Sequence, residues 1–164
     1  MKYSKYLPIN YNGEAITLIA GKGRYPALIR ENIVAKNIPI KLISIKNETD
    51  KELVEKFSSK THKQISLGHL NDLLKSLKAL NSKYVILAGQ IRPSKLFKGL
   101  FPDIKMVALL SKLNEVNAES IFGALINQIS NIGCIVIDAR SFIDDHIATI
   151  GLLTCKNKAY DNNA

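Results

Sequence analysis

Between Ile16 and Ile137, short apolar runs alternate with segments of helical period, and that alternation leaves few folds open. Ile16 to Ala20 is apolar and stops at Gly21, which reads as a buried strand. Pro26 suits the first turn of a helix, followed by Ile29, Ile33 and Val34 on one face. Residues 39–45 predict a second strand, residues 50–57 a short helix and residues 65–67 a brief third strand. Leu70, Leu73, Leu74, Leu77 and Leu80 recur at helical spacing, the strongest periodicity in the chain. Tyr84 to Ala88 predicts a fourth strand ending at Gly89. Pro102 and Asp103 open a helix carrying Ile104, Val107, Leu110 and Leu113, and Ile121, Phe122, Leu125, Ile126 and Ile129 form the face of the next. Residues 134–137 predict a last strand, ending at Asp138. Strands this apolar are covered on both sides, so the pattern predicts an α/β class: a Rossmann-like three-layer domain with a mostly parallel sheet.

One such domain accounts for the chain. Its 164 residues fall in the single-domain range, and 46% hydrophobic content is enough for a core. The expected division is a polar leader over residues 1–14, the α/β domain over 15–155 and a polar tail over 156–164. No run approaches the roughly eighteen apolar residues that span a bilayer, and the opening MKYSKYLPINYNGEA lacks the apolar segment of a secretory signal. The expected location is the cytoplasm. Cys134 and Cys155 are too far apart for a metal or redox CxxC pair, and Cys134 reads as a small buried hydrophobe.

The formal net charge of +9 raises the question of nucleic acid. Only Arg24, Arg30, Arg92 and Arg140 among the 23 basic residues are arginine, the usual reader of phosphates and bases. The lysines are scattered among isoleucines and asparagines, all with A/T-rich codons, and no nucleic-acid motif accompanies them. No nucleic-acid partner is expected.

Ligands of parallel sheets bind outside the carboxyl ends of the strands. Three segments fall at those ends: Gly21-Lys22-Gly23-Arg24, the stretch from Gly89 through Arg92-Pro93-Ser94, and Asp138-Ala139-Arg140. In the first, glycines let a phosphate approach the backbone, the helix start offers free N–H groups, and Lys22 and Arg24 add charge. A plain strand-to-helix turn would have the same sequence. The dinucleotide fingerprint is incomplete, since its third glycine position is Pro26 and the second strand closes on Lys46 and Asn47 rather than an acid. Arg92, held extended by Pro93, is placed to clamp a phosphate or to lie on a surface turn. His69, after Gly68, is a helix cap or a ligand contact. Asp144-Asp145-His146 are adjacent, so their side chains diverge and one metal could not readily collect all three. The remaining acids (Asp103, Glu119, Asp138) sit where helix caps or strand ends are expected, and no catalytic centre assembles from them.

Taken in order, LIAGKGRYPALI, LGHLNDLLKSLKAL, YVILAGQIRPSKL, FPDIKMVALLSKL, the ALI helix, IGCIVIDARSFI and IGLLT resemble the N-terminal part of the LpxI family, the UDP-2,3-diacylglucosamine pyrophosphatases of lipid A biosynthesis. The resemblance covers residues 16–154. It implies an enzyme that uses magnesium to place water on the α-phosphorus of a UDP-sugar lipid, giving UMP and 2,3-diacylglucosamine 1-phosphate, at most peripherally bound to the inner membrane. Carried onto this chain, the family's glycine loop falls on Gly21, Gly23 and Pro26, its glycine before the third helix on Gly68, its Arg-Pro pair on Arg92 and Pro93, and its Pro-Asp pair on Pro102 and Asp103. Where the family usually has Gln this chain has His69, and where it usually has Gly-Asp-Asp this chain has Asn117-Ala118-Glu119. Family members continue into a second domain that carries most of the catalytic and metal-binding carboxylates. The expectation is therefore a substrate-binding half, inactive alone, with Gly21, Lys22, Gly23, Arg24, Gly68, His69, Gly89, Arg92 and Asp103 as its substrate or phosphate contacts. Its catalytic residues are unknown, no metal site lies within it, and a separately encoded C-terminal half is an expected partner. The alternatives are a standalone nucleotide-binding or regulatory module, or the remnant of a truncated gene.

Overall fold

The computed structural model describes residues 6–91, 101–138 and 140–143. In chain order the elements are β1 (Ile16–Ala20), α1 (Arg24–Ala35), β2 (Ile40–Ile45), α2 (Lys51–Val54), β3 (His62–Ile65), α3 (Leu70–Ala79), β4 (Tyr84–Ala88), α4 (Ile104–Leu110), α5 (Ala118–Asn131) and β5 (Ile135–Val136). The strands form one all-parallel sheet in the order β3-β2-β1-β4-β5, the Rossmann-like α/β arrangement. β1 is central: Ile16–Ala20 run beside Ile40–Ser44 on one side and Tyr84–Ala88 on the other. The chain steps outward through β2 and β3, then returns past β1 to β4. The strand order thus reverses between β1 and β4, where folds of this kind open a ligand crevice.

Period-two alternation divides the strand side chains between two apolar layers. Ile16, Leu18 and Ala20 of β1 join Ile29 and Ile33 of α1 and Leu53 of α2 on one face. Ile19, Ile43, Ile45 and Val85 join the buried leucines of α3 and parts of α4 and α5 on the other. All five periodic leucines of residues 70–80 are buried. Thr17, fully buried, is satisfied by a 2.7 Å hydrogen bond between its hydroxyl and that of Ser82. Cys134 is buried, and burial pushes its thiol pKa upward, which keeps it a small hydrophobe rather than a nucleophile.

The structure moves several sequence-based assignments. β3 lies at His62–Ile65 rather than at 65–67, because an edge strand is selected by its ladder to Leu42–Ile45 while Lys63 and Gln64 face water. The apolar stripe assigned to α4 turns inward only in part: Ile104 and Val107 are 88% and 52% exposed, Leu110 packs half-buried against the core, and Met106 and Leu109 are the buried residues. Asp103 sets that rotation, since its carboxylate accepts from the Met106 N–H at 2.8 Å and from the Asn71 N–H at 2.6 Å, tying the start of α4 to the first turn of α3. Val34 and Phe122 are likewise more exposed than their helical faces predicted. Part of the expected leader is built into the core. Tyr11 is buried, meets the Tyr84 ring edge-on at 5.0 Å and donates its hydroxyl to the Glu14 carbonyl.

Candidate functional site

The carboxyl ends of β1 and β4 meet through their glycine turns. Gly21 N–H donates to the Ala88 carbonyl at 2.8 Å, and Lys22 and Gln90 exchange N–H···O bonds of 2.9 and 2.8 Å in a short antiparallel bridge. The approach is close enough to require glycine. A Cβ on Gly21 would lie 2.6 Å from the Gln90 carbonyl oxygen, and one on Gly89 would lie 2.9 Å from both the Gly21 backbone and the Pro26 ring. Gly89 also has φ +93°, a left-handed value that side chains disfavour. The switch-point crevice is therefore zipped by backbone. Two of the N–H groups that a phosphate would use, those of Gly21 and Lys22, are already bonded. What remains for an anion is the start of α1, whose first-turn N–H groups have no intrahelical acceptor and whose N-cap, Gly23, has no side chain to occupy them. Lys22 and Arg24 are exposed beside it.

The third strand-end segment reaches the same edge. Asp138 and Arg140 form a forked ion pair, 2.6 Å at its shortest, and this guanidinium holds the Asp138 carboxyl below its usual range. Tyr25, in the first turn of α1, has its phenol pKa raised by burial and then by the Asp138 charge, so it stays a hydrogen-bond donor at neutral pH.

Beneath the glycine edge, on the α3–α4–α5 face, lies a cleft of about 770 Å³. Its floor is made of strand side chains, Ile19, Ile45, Ile65 and Leu87, and its walls include Leu73, Met106 and Leu125. Gly21, Gly68, His69 and Gly89 of the expected contacts line it, together with Tyr25, Ser66, Gln90 and Glu119. His69 stands at its rim with Nδ1 3.1 Å from an Asp72 carboxylate oxygen. The expected contacts Lys22, Gly23 and Arg24 flank the cleft without lining it. Asp103 is employed otherwise: both of its oxygens cap helix N-termini, and its own N–H donates to the Gly68 carbonyl. Arg92, Pro93 and Ser94 lie outside the described residues, as do Asp144, Asp145, His146, residues 147–153 and Cys155; Ile91, the last residue before Arg92, lines the cleft.

Sequence reasoning passed over Tyr25, Gln90 and the apolar floor. Gln90 was legible only as a letter between two noticed motifs, and the floor residues are indistinguishable in sequence from ordinary core. The departure at Asn117-Ala118-Glu119 keeps a helix start: Asn117 Oδ1 accepts from the Ser120 N–H, and Ser120 Oγ accepts from the Asn117 N–H, a reciprocal capping box that leaves Ala118 and Glu119 at the mouth of the cleft.

Magnesium, implied by the resemblance, finds no set of ligands among the described residues. Among the described residues no three of His, Cys, Asp and Glu converge, Asp103 is used by two helix starts and Asp138 by Arg140.

An all-parallel α/β sheet with glycine turns and an apolar cleft at its carboxyl edge defines a Rossmann-like α/β domain. The model of the LpxI N-terminal domain matches residues 15–146, and the chain belongs to that family. No curated protein matches it. Among the described residues, no helix is long and apolar enough to cross a membrane.

Proposed function

We propose that this chain is the substrate-binding half of a UDP-2,3-diacylglucosamine pyrophosphatase, holding the UDP-sugar lipid while a second domain, joined to it or docked on it, supplies the magnesium ligands and the attacking water. The observation that carries the reading is the family membership joined to one piece of geometry: the glycine turns, the open start of α1 and the cleft lie along a single strand edge. The open N–H groups of α1, with Lys22 and Arg24, suit a diphosphate. Tyr25 and His69 offer hydrogen bonds to a ribose or sugar hydroxyl. The chemistry is hydrolysis of a phosphoric anhydride, and this chain's part in it is to bind and orient.

The test is an assay of UMP release from UDP-2,3-diacylglucosamine with magnesium, using this chain alone and mixed with a C-terminal half of the family. The expected result is release from the mixture and none from the chain alone. An inactive mixture beside an active two-domain family enzyme refutes the reading. Calorimetry with UDP, UMP and NAD separates it from a general nucleotide-binding module, because a preference for NAD would contradict a UDP-sugar site.

A further inference from the structure

We infer that the outward face of α4 seats the same face of a second copy of this chain, the two helices antiparallel across a two-fold axis. The helix reads Ile104-Lys105-Met106-Val107-Ala108-Leu109-Leu110, so it is apolar almost all round. A helix of that composition is ordinarily covered on more than one side. Here the fold covers one. Met106 and Leu109 are buried and Leu110 is half-buried in the layer that holds the α3 leucines. Ile104 is 88% exposed, Val107 and Ala108 are exposed beside it, and Phe101, just before the helix, is 91% exposed. The Asp103 cap that ties α4 to α3 fixes which stripe turns to water, so the outward face is a built feature of the fold.

Area, charge and shape all favour a second copy as the occupant. Phe101 alone presents on the order of 150 Å² of ring, and with Ile104 and Val107 the face reaches roughly 400 Å², a size that marks interaction surfaces. Two such faces bury about 800 Å² of apolar surface, and their polar rims bring the total to about the 1,200 Å² at which specific interfaces begin. That predicts a weak, reversible dimer. Two copies of a chain with net charge +9 repel one another over most approaches, but residues 101–111 carry only Asp103 and Lys105 and no net charge. An acidic partner would be drawn to the lysines elsewhere. The stripe is also self-complementary. Its amino end is large, with Phe101 and Ile104, and its carboxyl end is small, with Ala108 and Ser111, all four exposed. Antiparallel pairing sets Phe101 over Ser111 and Ile104 over Ala108 of the second copy, so large side chains fill the hollows left by small ones. Neither UDP recognition nor catalysis enters, so this dimer and the pyrophosphatase reading fail separately.

The test is sedimentation equilibrium of the full chain from about 5 to about 500 μM, a range that brackets weak association. The weight-average mass is expected to rise from 18.2 kDa toward twice that value. Ile104→Lys and Ala108→Glu are each expected to weaken association about tenfold or more, since each buries an unpaired charge in the contact. Both positions face water in the free chain, so the urea midpoint at the lowest concentration is expected to stay in place. Mixed in equal amounts, the two variants are expected to regain the dimer, because the antiparallel register sets the introduced ammonium against the introduced carboxylate. A mass of 18.2 kDa at every concentration, association that neither folded variant weakens, or a mixture no heavier than its components overturns the proposal. A monomer whose urea midpoint falls with Ile104→Lys assigns the face to the chain's own remaining residues. A monomer that binds a C-terminal half of the family, and loses that binding with Ile104→Lys, assigns it to that domain. Either result also overturns the dimer.

Discussion

Gly89 and Gly23 both have positive φ, yet they differ in how much the fold depends on them. Gly23 has nothing within 4 Å of a Cβ position, so Gly23→Ala meets only the backbone penalty of its φ 103°, ψ 176° conformation, a region nearly confined to glycine, about 2 kcal/mol. Gly89→Ala adds a clash with the Gly21 backbone and the Pro26 ring, and its expected cost is about 3 kcal/mol or more, measured by urea unfolding. Equal costs would mean the two turns are not packed together. Glu14 gives a second prediction at this scale. The Lys83 ammonium at 2.9 Å and the Asn12 N–H hold its carboxyl down to about 2 from its ordinary 4.5. A folded pKa below the unfolded one stabilises at pH above 4.5, and that stability is lost as pH falls toward 2. His62 acts over a higher window: burial, then the Lys63 charge, lowers its pKa, so below about 6.5 the unfolded chain binds a proton that the folded chain resists. Stability is expected to decline in two steps on acidification, His62→Gln removing the first and Glu14→Gln reducing the second, to which the Asp138 carboxyl also contributes. Urea midpoints from pH 8 to pH 2 check both.

At the scale of elements, one carboxylate arranges two helices. Asp103 stands at the N-cap of α4 and reaches across to the first turn of α3, so it fixes both the rotation of α4 and the height of the cleft wall. Asp103→Ala is expected to cost about 2 kcal/mol in urea unfolding, a cap's worth at each helix start, and Asp103→Asn about half of that, since an amide keeps one acceptor oxygen. A loss below about 0.5 kcal/mol from the alanine variant would show that packing of Met106 and Leu109 holds α4 unaided. The apolar pattern of residues 104–113 could not reveal this. Ile104 and Val107 repeat at a helical interval as convincingly as Met106 and Leu109 do, and only the cap chooses between the two stripes. β3 shows the same limit in a strand: its position follows from pairing with β2, a partner about twenty residues away in sequence, and not from its own hydrophobicity.

Over the whole molecule, the excess positive charge has a local consequence at the glycine edge. The Lys22→Ala/Arg24→Ala double variant is expected to weaken UDP binding about tenfold by calorimetry, and the difference is expected to shrink in high salt, because exposed charges are screened within a Debye length of about 10 Å at 0.1 M. The alternation of apolar strands and helical periods determined the α/β class, the strands β1 and β4, the leucine face of α3 and the edge at which ligands are sought. These follow from local rules: period two, period 3.6, and glycine or proline at the breaks. The tertiary structure decided the rest. It brought Gly21 against Gln90 across some seventy residues of chain, closed the crevice that the motif alone would have left open, and moved the free volume beneath α3, α4 and α5. A cleft exists where side chains of distant elements fail to meet, and no local pattern in a sequence records that failure.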